Sequence, residues 1–191
     1  MTLNPEDFTA MRERLAAYDA ARDTIIKRSR DITKASKQAI YALHRDAREE
    51  AAQHLVDAET AINELLPAIR ADQTLRTGGF SNGMEEYVEA RLFLAFLQSG
   101  TLLPSSAIPD ADAEEYLGGL ADLTGELVRH AVLRATARDR ETVQRIRDLL
   151  DAIFGQFLQF DFRNGELRKK YDGMKYALQK AEQLLYDLAL G

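Results

Sequence analysis

The chain contains no cysteine in its 191 residues, which excludes disulfides and any metal site built on thiolates. No apolar run approaches the ~18 residues that a membrane span requires. The first twenty residues include the charged side chains Glu6, Arg12, Glu13, Arg14 and Asp19, so we expect neither a signal peptide nor an N-terminal anchor. A chain without cysteine also suits the cytoplasm, which is where we expect this protein to act.

Several catalytic patterns are missing as well. The chain has neither a G-x-x-x-x-G-K nor a G-x-G-x-x-G phosphate-binding loop, and none of its three histidines lies in a nucleophile context. The Glu-x-x-His pattern of ferritin-like di-iron bundles also fails, because Glu126-x-x is followed by Arg129. These absences leave chemistry based on carboxylates, or simple binding of a charged partner.

Proline is scarce and the alternation typical of strands is absent, so the sequence predicts an all-α fold. We expect a long-helix bundle of about six to seven helices, forming a single domain over residues 1–191. The helical patterns cover, in order, residues 5–47, 48–71, 84–99, 112–136, 139–160 and 166–189. Two glycine-containing dipeptides predict a loop at 76–83, and a second predicted loop covers 99–112.

The first predicted helix would be about 65 Å long if it were straight. A helix of this length cannot be covered by the rest of a 191-residue globule. We therefore expect the chain to oligomerise and so bury the excess surface.

Positive charge is concentrated in residues 24–45, where six Lys or Arg and one Asp give a local net charge of +5, although the whole chain carries −6. On a helix five of these basic residues, all except Arg28, share an arc of ~100° with Tyr41 and His44. Such a stripe is typical of phosphate binding, and equally of an ordinary exposed helix. A second basic cluster, Arg168, Lys169, Lys170 and Lys175, opens the last helix, where cations oppose the helix macrodipole. Something other than local helix stability must favour those cations.

Two predicted helices each carry a pair of carboxylates one turn apart. Glu86 and Glu89, in "EEYVEARLFLAFL", lie ~60° apart with Phe93 between them, on a face that should be buried. Asp122 and Glu126 share one face of another helix. Buried acids are costly unless they are paired or bound to a metal, and carboxylates suit Mg²⁺ or Mn²⁺. The spacing alone leaves two interpretations open, a metal site and a metal-free polar cluster between subunits.

Four stretches of the sequence resemble the translin family, and within it the factor X branch more than translin itself. They are "RSRDITKASKQAIYALHR" at 28–45, "GMEEYVEARLFLAFLQSGTLL" at 83–103, "YLGGLADLTGELVR" at 116–129, and the last helix at 167–190, which is closer to translin. The specific part of the match is "EYVEA" followed by "ADLTGE". One departure is the short loop at 100–113, where the eukaryotic factor X carries a long insertion.

The resemblance implies an all-helical subunit that assembles into a closed, roughly octameric shell with RNA or single-stranded DNA on its basic inner surface. In the factor X branch the activity is a Mg²⁺-dependent endoribonuclease acting on single-stranded or nicked RNA. Its acidic residues map onto Glu86, Glu89, Asp122 and Glu126, which would hold Mg²⁺, or Mn²⁺, and carry catalysis. Translin proper lacks this set.

Three functions are therefore open, in this order of preference. The first is a metal-dependent endoribonuclease in which basic residues position the RNA backbone, namely Lys27, Arg30, Lys34, Lys37, Arg45 and Arg129. The second is a non-catalytic, translin-like protein that binds single-stranded RNA or DNA and uses its acids structurally. The third is a purely structural helical oligomer. A chain that combines factor X acids with a translin-like last helix favours self-assembly as a homo-octamer, and a translin-like partner subunit stays open.

Overall fold

The computed structural model describes residues 3–76 and 78–190, and within them the regular structure is entirely helical. This confirms the all-α prediction. The α-helices are α1 (Pro5–His44), α2 (Arg48–Ala71), α3 (Gly79–Ser99), α4 (Ala113–Thr136), α5 (Arg140–Phe157) and α6 (Glu166–Leu190). Short 3₁₀ turns at Gln73–Leu75 and Ser105–Ala107 lie in the connections around α3. Among the described residues no helix is both long and apolar enough to cross a membrane.

The first helix begins as its sequence predicts and ends slightly earlier. Asn4 caps α1 by accepting a hydrogen bond from the Glu6 N–H, and Pro5 occupies the first turn, where a missing N–H costs nothing. The helix stops at His44 rather than near residue 47, because Asp46 adopts a left-handed backbone with φ of 58°. At 40 residues α1 is about 60 Å long, and its first turns extend beyond the rest of the bundle.

The loop predicted at 76–83 is wrong over its second half, since α3 already begins at Gly79. Of the three glycines in this segment, Gly78, Gly79 and Gly83, only Gly78 has a positive φ, 56°, that suits glycine in a turn. Gly83 is instead a packing residue inside the helix, where an added Cβ would lie 3.2 Å from the Cβ of Ile32 on α1. A glycine needed for close helix packing is indistinguishable from a turn glycine in the sequence. Residue 77 lies outside the described residues.

The central helix is α3, which packs against α1 on one side and α4 on the other. The order of packing runs from α2 through α1, α3 and α4 to the pair α5 and α6. Because it has neighbours on both sides, α3 contributes several fully buried side chains, including Phe80, Met84, Leu92 and Phe93. Carboxylates on α3 therefore face packed neighbours rather than open solvent. This placement is what gives Glu86 and Glu89 their unusual surroundings.

The remaining boundaries differ from prediction by small amounts. Asp112 and Glu115 form a capping box that starts α4 at Ala113. The fifth helix ends at Phe157, three residues before the predicted end, and α6 covers almost the predicted range. The N-terminal turns of α1 leave Phe8 and Leu15 exposed, as expected of a helix that needs a partner, although oligomerisation itself stays a prediction.

Candidate metal and nucleic-acid site

Two consecutive glycines allow the acid-bearing helices to approach each other closely. A Cβ added at Gly119 of α4 would lie 2.5 Å from the carbonyl oxygen of Glu85 and 2.7 Å from the Cβ of Val88 on α3. One added at Gly118 would lie 2.6 Å from the Glu85 Cδ. Distances this short are steric clashes, so only glycine permits the present separation of the two backbones. The "GG" of "YLGGLADL" therefore sets how near the two pairs of carboxylates come.

The structure brings the four predicted acids together. Glu86 and Glu89 of α3, and Asp122 and Glu126 of α4, line one pocket of about 510 Å³. The remaining walls come from α1, through Lys37, Ile40 and Tyr41, and from Arg129 of α4. The two pairs that the sequence placed on separate helices thus face a common space.

Glu89 is the most unusual member of this acidic pocket. It is 7% exposed, and it makes no hydrogen bond or ion pair within residues 3–76 and 78–190. Burial, with repulsion from Asp122, Glu86 and Glu126, raises the pKa of Glu89 to about 8, against a smaller opposite effect from Lys170. At neutral pH this carboxyl is therefore largely protonated unless a cation enters the pocket.

The other three acids are each paired with a cationic or imidazole side chain. The Lys37 Nζ lies 3.0 Å from the Glu86 Oε1. Asp122 accepts a hydrogen bond from the Lys170 ammonium of α6, which also pairs with Glu85. Glu126 contacts the buried Nε2 of His44, and this contact lowers the pKa of Glu126 against the opposing effect of burial. The protein thus supplies its own counter-charges in the pocket.

Sequence patterns alone miss two of these partners, His44 and Lys170, and the acid Glu85 that shares Lys170. They place His44 only in the basic stripe, and Lys170 only in a basic cluster. Yet the cluster carries a usable signal, because cations at a helix N-terminus need another reason to be there. The ion pair with Asp122 supplies that reason for Lys170. Glu85 has no assignment from spacing; it lies well inside α3 and is the second partner of the same ammonium.

The donor set of the acidic pocket fits a hard divalent cation. Carboxylate oxygens are the ligands that Mg²⁺ and Mn²⁺ prefer, and the buried Glu89 gains from a nearby positive charge. Within the described residues, however, no three His, Asp or Glu side chains are already arranged to hold an ion. Binding would therefore require the carboxylates to turn away from Lys37, Lys170 and His44.

The predicted basic stripe runs along α1 beside these acids. Its lysines and arginines are exposed, as is Arg129 of α4; the full set assigned to nucleic-acid binding is Lys27, Arg30, Lys34, Lys37, Arg45 and Arg129. The side chain of His44, on the same stripe, is buried. Arg30 lines a second pocket of about 560 Å³ together with Glu85, Glu86 and Asp122, so stripe and acids adjoin. Lys27, Arg30 and Lys34 make no ion pair with any residue that the structure describes. Their charge is available to a partner.

The basic cluster at the start of α6 is mostly neutralised within the chain. Arg168 pairs with Asp172, and the Lys169 Nζ lies 2.5 Å from the Glu166 Oε1. Since Lys170 is also engaged, this cluster offers much less free positive charge than α1 does.

Comparison with known proteins identifies the chain's relatives. The Translin family model matches residues 20–190. The chain belongs to the translin family. Translin from Gallus gallus is 30% identical over 159 residues, covering 74% of this chain and 68% of its own length. The Schizosaccharomyces pombe translin-associated protein X homolog is 28% identical over 207 residues, covering 97% and 88% respectively.

Solved structures show the same fold in other translin-like proteins. The crystal structure of apo-NeC3PO superposes with a TM-score of 0.87 at 19% sequence identity, covering 98% of this chain and 100% of that one. AfC3PO in complex with duplex RNA gives a TM-score of 0.80 at 24% identity, covering 96% of this chain and 97% of that one. These likenesses establish the helical fold of this translin family member, and the family resemblance expected from the sequence is confirmed.

Proposed function

We propose that this translin family protein is a Mg²⁺-dependent endoribonuclease that acts on single-stranded or nicked RNA inside a helical oligomeric shell. The observation that carries the proposal is the convergence of four carboxylates, two from α3 and two from α4, on one pocket beside an exposed basic stripe. The solved complex of AfC3PO with duplex RNA supports a nucleic-acid ligand for the shared fold.

Glu86, Glu89, Asp122 and Glu126 are the residues that would hold the metal. When bound, Mg²⁺ polarises a phosphodiester and lowers the pKa of a coordinated water. The chain's own basic residues have a separate task, which is to place the RNA backbone over the acids. Arg30 and Arg129 are suited to it, because both are exposed and both line pockets that contain the acids.

Assembly of several copies follows from the shape of the subunit. The protruding N-terminal turns of α1 expose Phe8, Met11 and Leu15. Exposed apolar side chains grouped on one helix favour burial against another subunit. We propose a homo-oligomer, with an octamer as the expected state. Native mass spectrometry of the chain expressed alone distinguishes this from a requirement for a translin-like partner subunit.

Cleavage of end-labelled RNA tests the catalytic proposal. We expect the wild-type protein to cut a single-stranded or nicked substrate with Mg²⁺ and to stop when EDTA is added. Glu126→Ala or Asp122→Asn should lower the rate by about 100-fold or more, because even outer partners of metal ligands cost 10–100-fold when lost. Glu114→Gln, an exposed acid on α4 outside the pocket, is the matched control. Equal cleavage by wild type and Glu126→Ala would refute the assignment.

One observation favours a second function, non-catalytic binding of single-stranded RNA or DNA. Three of the four acids already have partners in Lys37, Lys170 and His44, as expected of a structural polar cluster. In that case affinity for RNA should fall steeply with salt, remain unchanged by EDTA, and be accompanied by no turnover. Comparing single-stranded with duplex RNA in the same titration shows which form the basic stripe prefers.

A further inference from the structure

A separate basic cavity lies at the C-terminal ends of the same helices and has a charge opposite to that of the acidic pocket. Its volume is about 490 Å³, and it lies where the C-terminal ends of α1, α3 and α4 meet the first turns of α5. Three arginines line it, Arg48, Arg134 and Arg145, against one lining carboxylate, Asp46. This volume falls within the roughly 300–1,000 Å³ range of pockets that hold small organic ligands.

The N–H donors of these arginines are only partly engaged by other residues of the protein. Arg48 donates from Nε to Asp46 at 2.9 Å, and Arg134 pairs with Asp139. Arg145 has no carboxylate partner within residues 3–76 and 78–190; its hydrogen bond to the Thr142 hydroxyl is a long one, at 3.4 Å. None of the three donates to a helix-end carbonyl among the described residues, so their presence is not explained by capping.

Two buried imidazoles in the cavity wall carry polar atoms without a partner. The Nδ1 atoms of His44 and His130 are buried and make no hydrogen bond with any described residue. The His44 side chain is only 3% exposed, and its Nε2 contacts Glu126 of the acidic pocket, so this ring lies between the two sites. Both Nδ1 atoms lie behind the cavity surface, so a ligand in the cavity meets the arginines rather than these atoms.

The rest of the lining decides what kind of anion fits. Ser99 and Thr142 add hydroxyl groups, and Phe96, Leu97 and Leu133 add an apolar surface. Burial, with smaller effects from His44 and Arg134, lowers the pKa of His130 to about 4, so near pH 7 this ring contributes an uncharged N–H. Positive charge therefore comes from the arginines, whose planar forks suit phosphate. A ligand with a phosphate at one end and a flat apolar body at the other can contact both the arginines and the apolar side chains.

We propose that this basic cavity is a binding site for a phosphate monoester of nucleotide size, held by Arg145 and Arg48 and separate from the acidic pocket. The same chemistry is found in a free nucleoside monophosphate and in the phosphorylated terminal nucleotide of an RNA strand. The site does not depend on the proposed nuclease activity, because Arg145 and Arg48 belong neither to the four acids nor to the α1 stripe.

Isothermal titration with adenosine 5′-monophosphate, and with adenosine as the uncharged comparison, tests the site on the full chain. We expect the monophosphate to bind and adenosine to bind at least tenfold more weakly, since adenosine has no charged group to accept hydrogen bonds from the arginines. Arg145→Gln should lower the affinity for the monophosphate by about tenfold. Arg140→Gln, on the same helix outside the cavity, should leave that affinity unchanged. Equal binding of both ligands, equal loss in both variants, or no binding at millimolar concentration would overturn the proposal.

A second titration identifies the source of the phosphate. The ligands are an oligoribonucleotide with a 5′-phosphate and the same oligoribonucleotide with a 5′-hydroxyl. Tighter binding of the phosphorylated strand that disappears in Arg145→Gln assigns the site to RNA ends. Binding of the free monophosphate with no difference between the strands assigns it to a free nucleotide.

Discussion

Two glutamates are buried at different places in this molecule, and their surroundings are opposite. Glu115 at the start of α4 is 1% exposed and accepts hydrogen bonds from Arg76, Ser81 and the Asp112 N–H. Glu89 in the middle of α3 is 7% exposed and has no such partner among the described residues. Burial raises the pKa of both, but hydrogen bonds oppose the rise in Glu115, whereas neighbouring carboxylates add to it in Glu89.

The difference separates a structural acid from a candidate functional one. Glu115 joins the loop before α3 to the first turn of α4, and its charge is matched within the chain. Glu89 is a cost to the fold as it stands, because a buried carboxyl among like charges must take up a proton or a cation. A protein retains such a residue most readily where a bound ligand offsets the free-energy cost of burying the carboxylate.

The largest expected effect is on stability at Glu115. Glu115→Ala removes the charge that faces Arg76, whose side chain is only 16% exposed, and leaves that guanidinium without its closest partner. Breaking a buried ion pair from one side costs about 3–5 kcal/mol. We expect urea unfolding to show a loss of this size, with Glu114→Ala, next to it and exposed, close to wild type. If Glu115→Ala lowers the free energy of unfolding by less than about 1 kcal/mol, Glu115 is not a structural acid and its contrast with Glu89 is wrong.

The pH dependence of stability should report Glu89. Its pKa is about 8 in the folded protein against an ordinary value of 4.5, so the folded state binds the extra proton between those values. Stability from this group is therefore complete below about pH 4.5 and is lost as the pH rises through 8. In Glu89→Gln this fall should largely disappear, and at pH 8 the variant should be at least as stable as wild type. Parallel pH profiles for the two proteins would contradict the buried, unpartnered state of Glu89.

Close packing of α3 on α4, which brings the four acids together, should contribute to the stability of the protein. Gly119→Ala places a methyl group within 2.5 Å of the Glu85 carbonyl oxygen, so we expect a destabilisation of about 1–3 kcal/mol from overpacking. Gly125→Ala on the same helix meets nothing within 4 Å and should instead stabilise by about 0.5–1 kcal/mol. Thermal unfolding measures both. A neutral Gly119→Ala would mean that the helix separation is not fixed by this contact.

The last predicted effect is the stabilisation by metal, which is smaller than the losses expected at Glu115. If Mg²⁺ binds the folded acidic pocket, a concentration ten times its Kd should add about 1.4 kcal/mol to the free energy of unfolding. Asp122→Asn should abolish this gain, and Glu115 variants should retain it, because Glu115 lies outside the pocket. Differential scanning calorimetry with Mg²⁺, and with Na⁺ at equal ionic strength, provides the measurement. A gain that persists in Asp122→Asn would place the ion elsewhere.

Much of the fold could be predicted from local signals. Asn4-Pro5 marks the start of the first helix, and Asp112 with Glu115 marks the start of the fourth, since capping depends on neighbours in sequence. The error at 79–83 arises because Gly83 serves a contact with Ile32, some fifty residues away. Local rules contain no information about such a contact.

The four acids of the candidate site could be predicted from the sequence. The side chains that pair with them could not. The helical positions of Glu86 and Glu89, together with the resemblance to the translin family, are enough to single out the four acids. Lys170 and Asp122 are 48 residues apart, and His44 and Glu126 are 82 apart, so no helical spacing relates them. The unfavourable place of Lys170 at a helix N-terminus was the one local hint of such a partner.

The sequence by itself determined that this protein is all-helical, belongs with translin, and carries two pairs of acids and one basic helix. Those properties depend on periodicity, capping and motif, which act over a few residues. Only the tertiary structure decided that the acids share one pocket, that Glu89 lacks a partner among the described residues while Glu115 has three, and that arginines from three segments enclose a second cavity. Each of these depends on how closely helices approach, which is set by packing between residues distant in the chain.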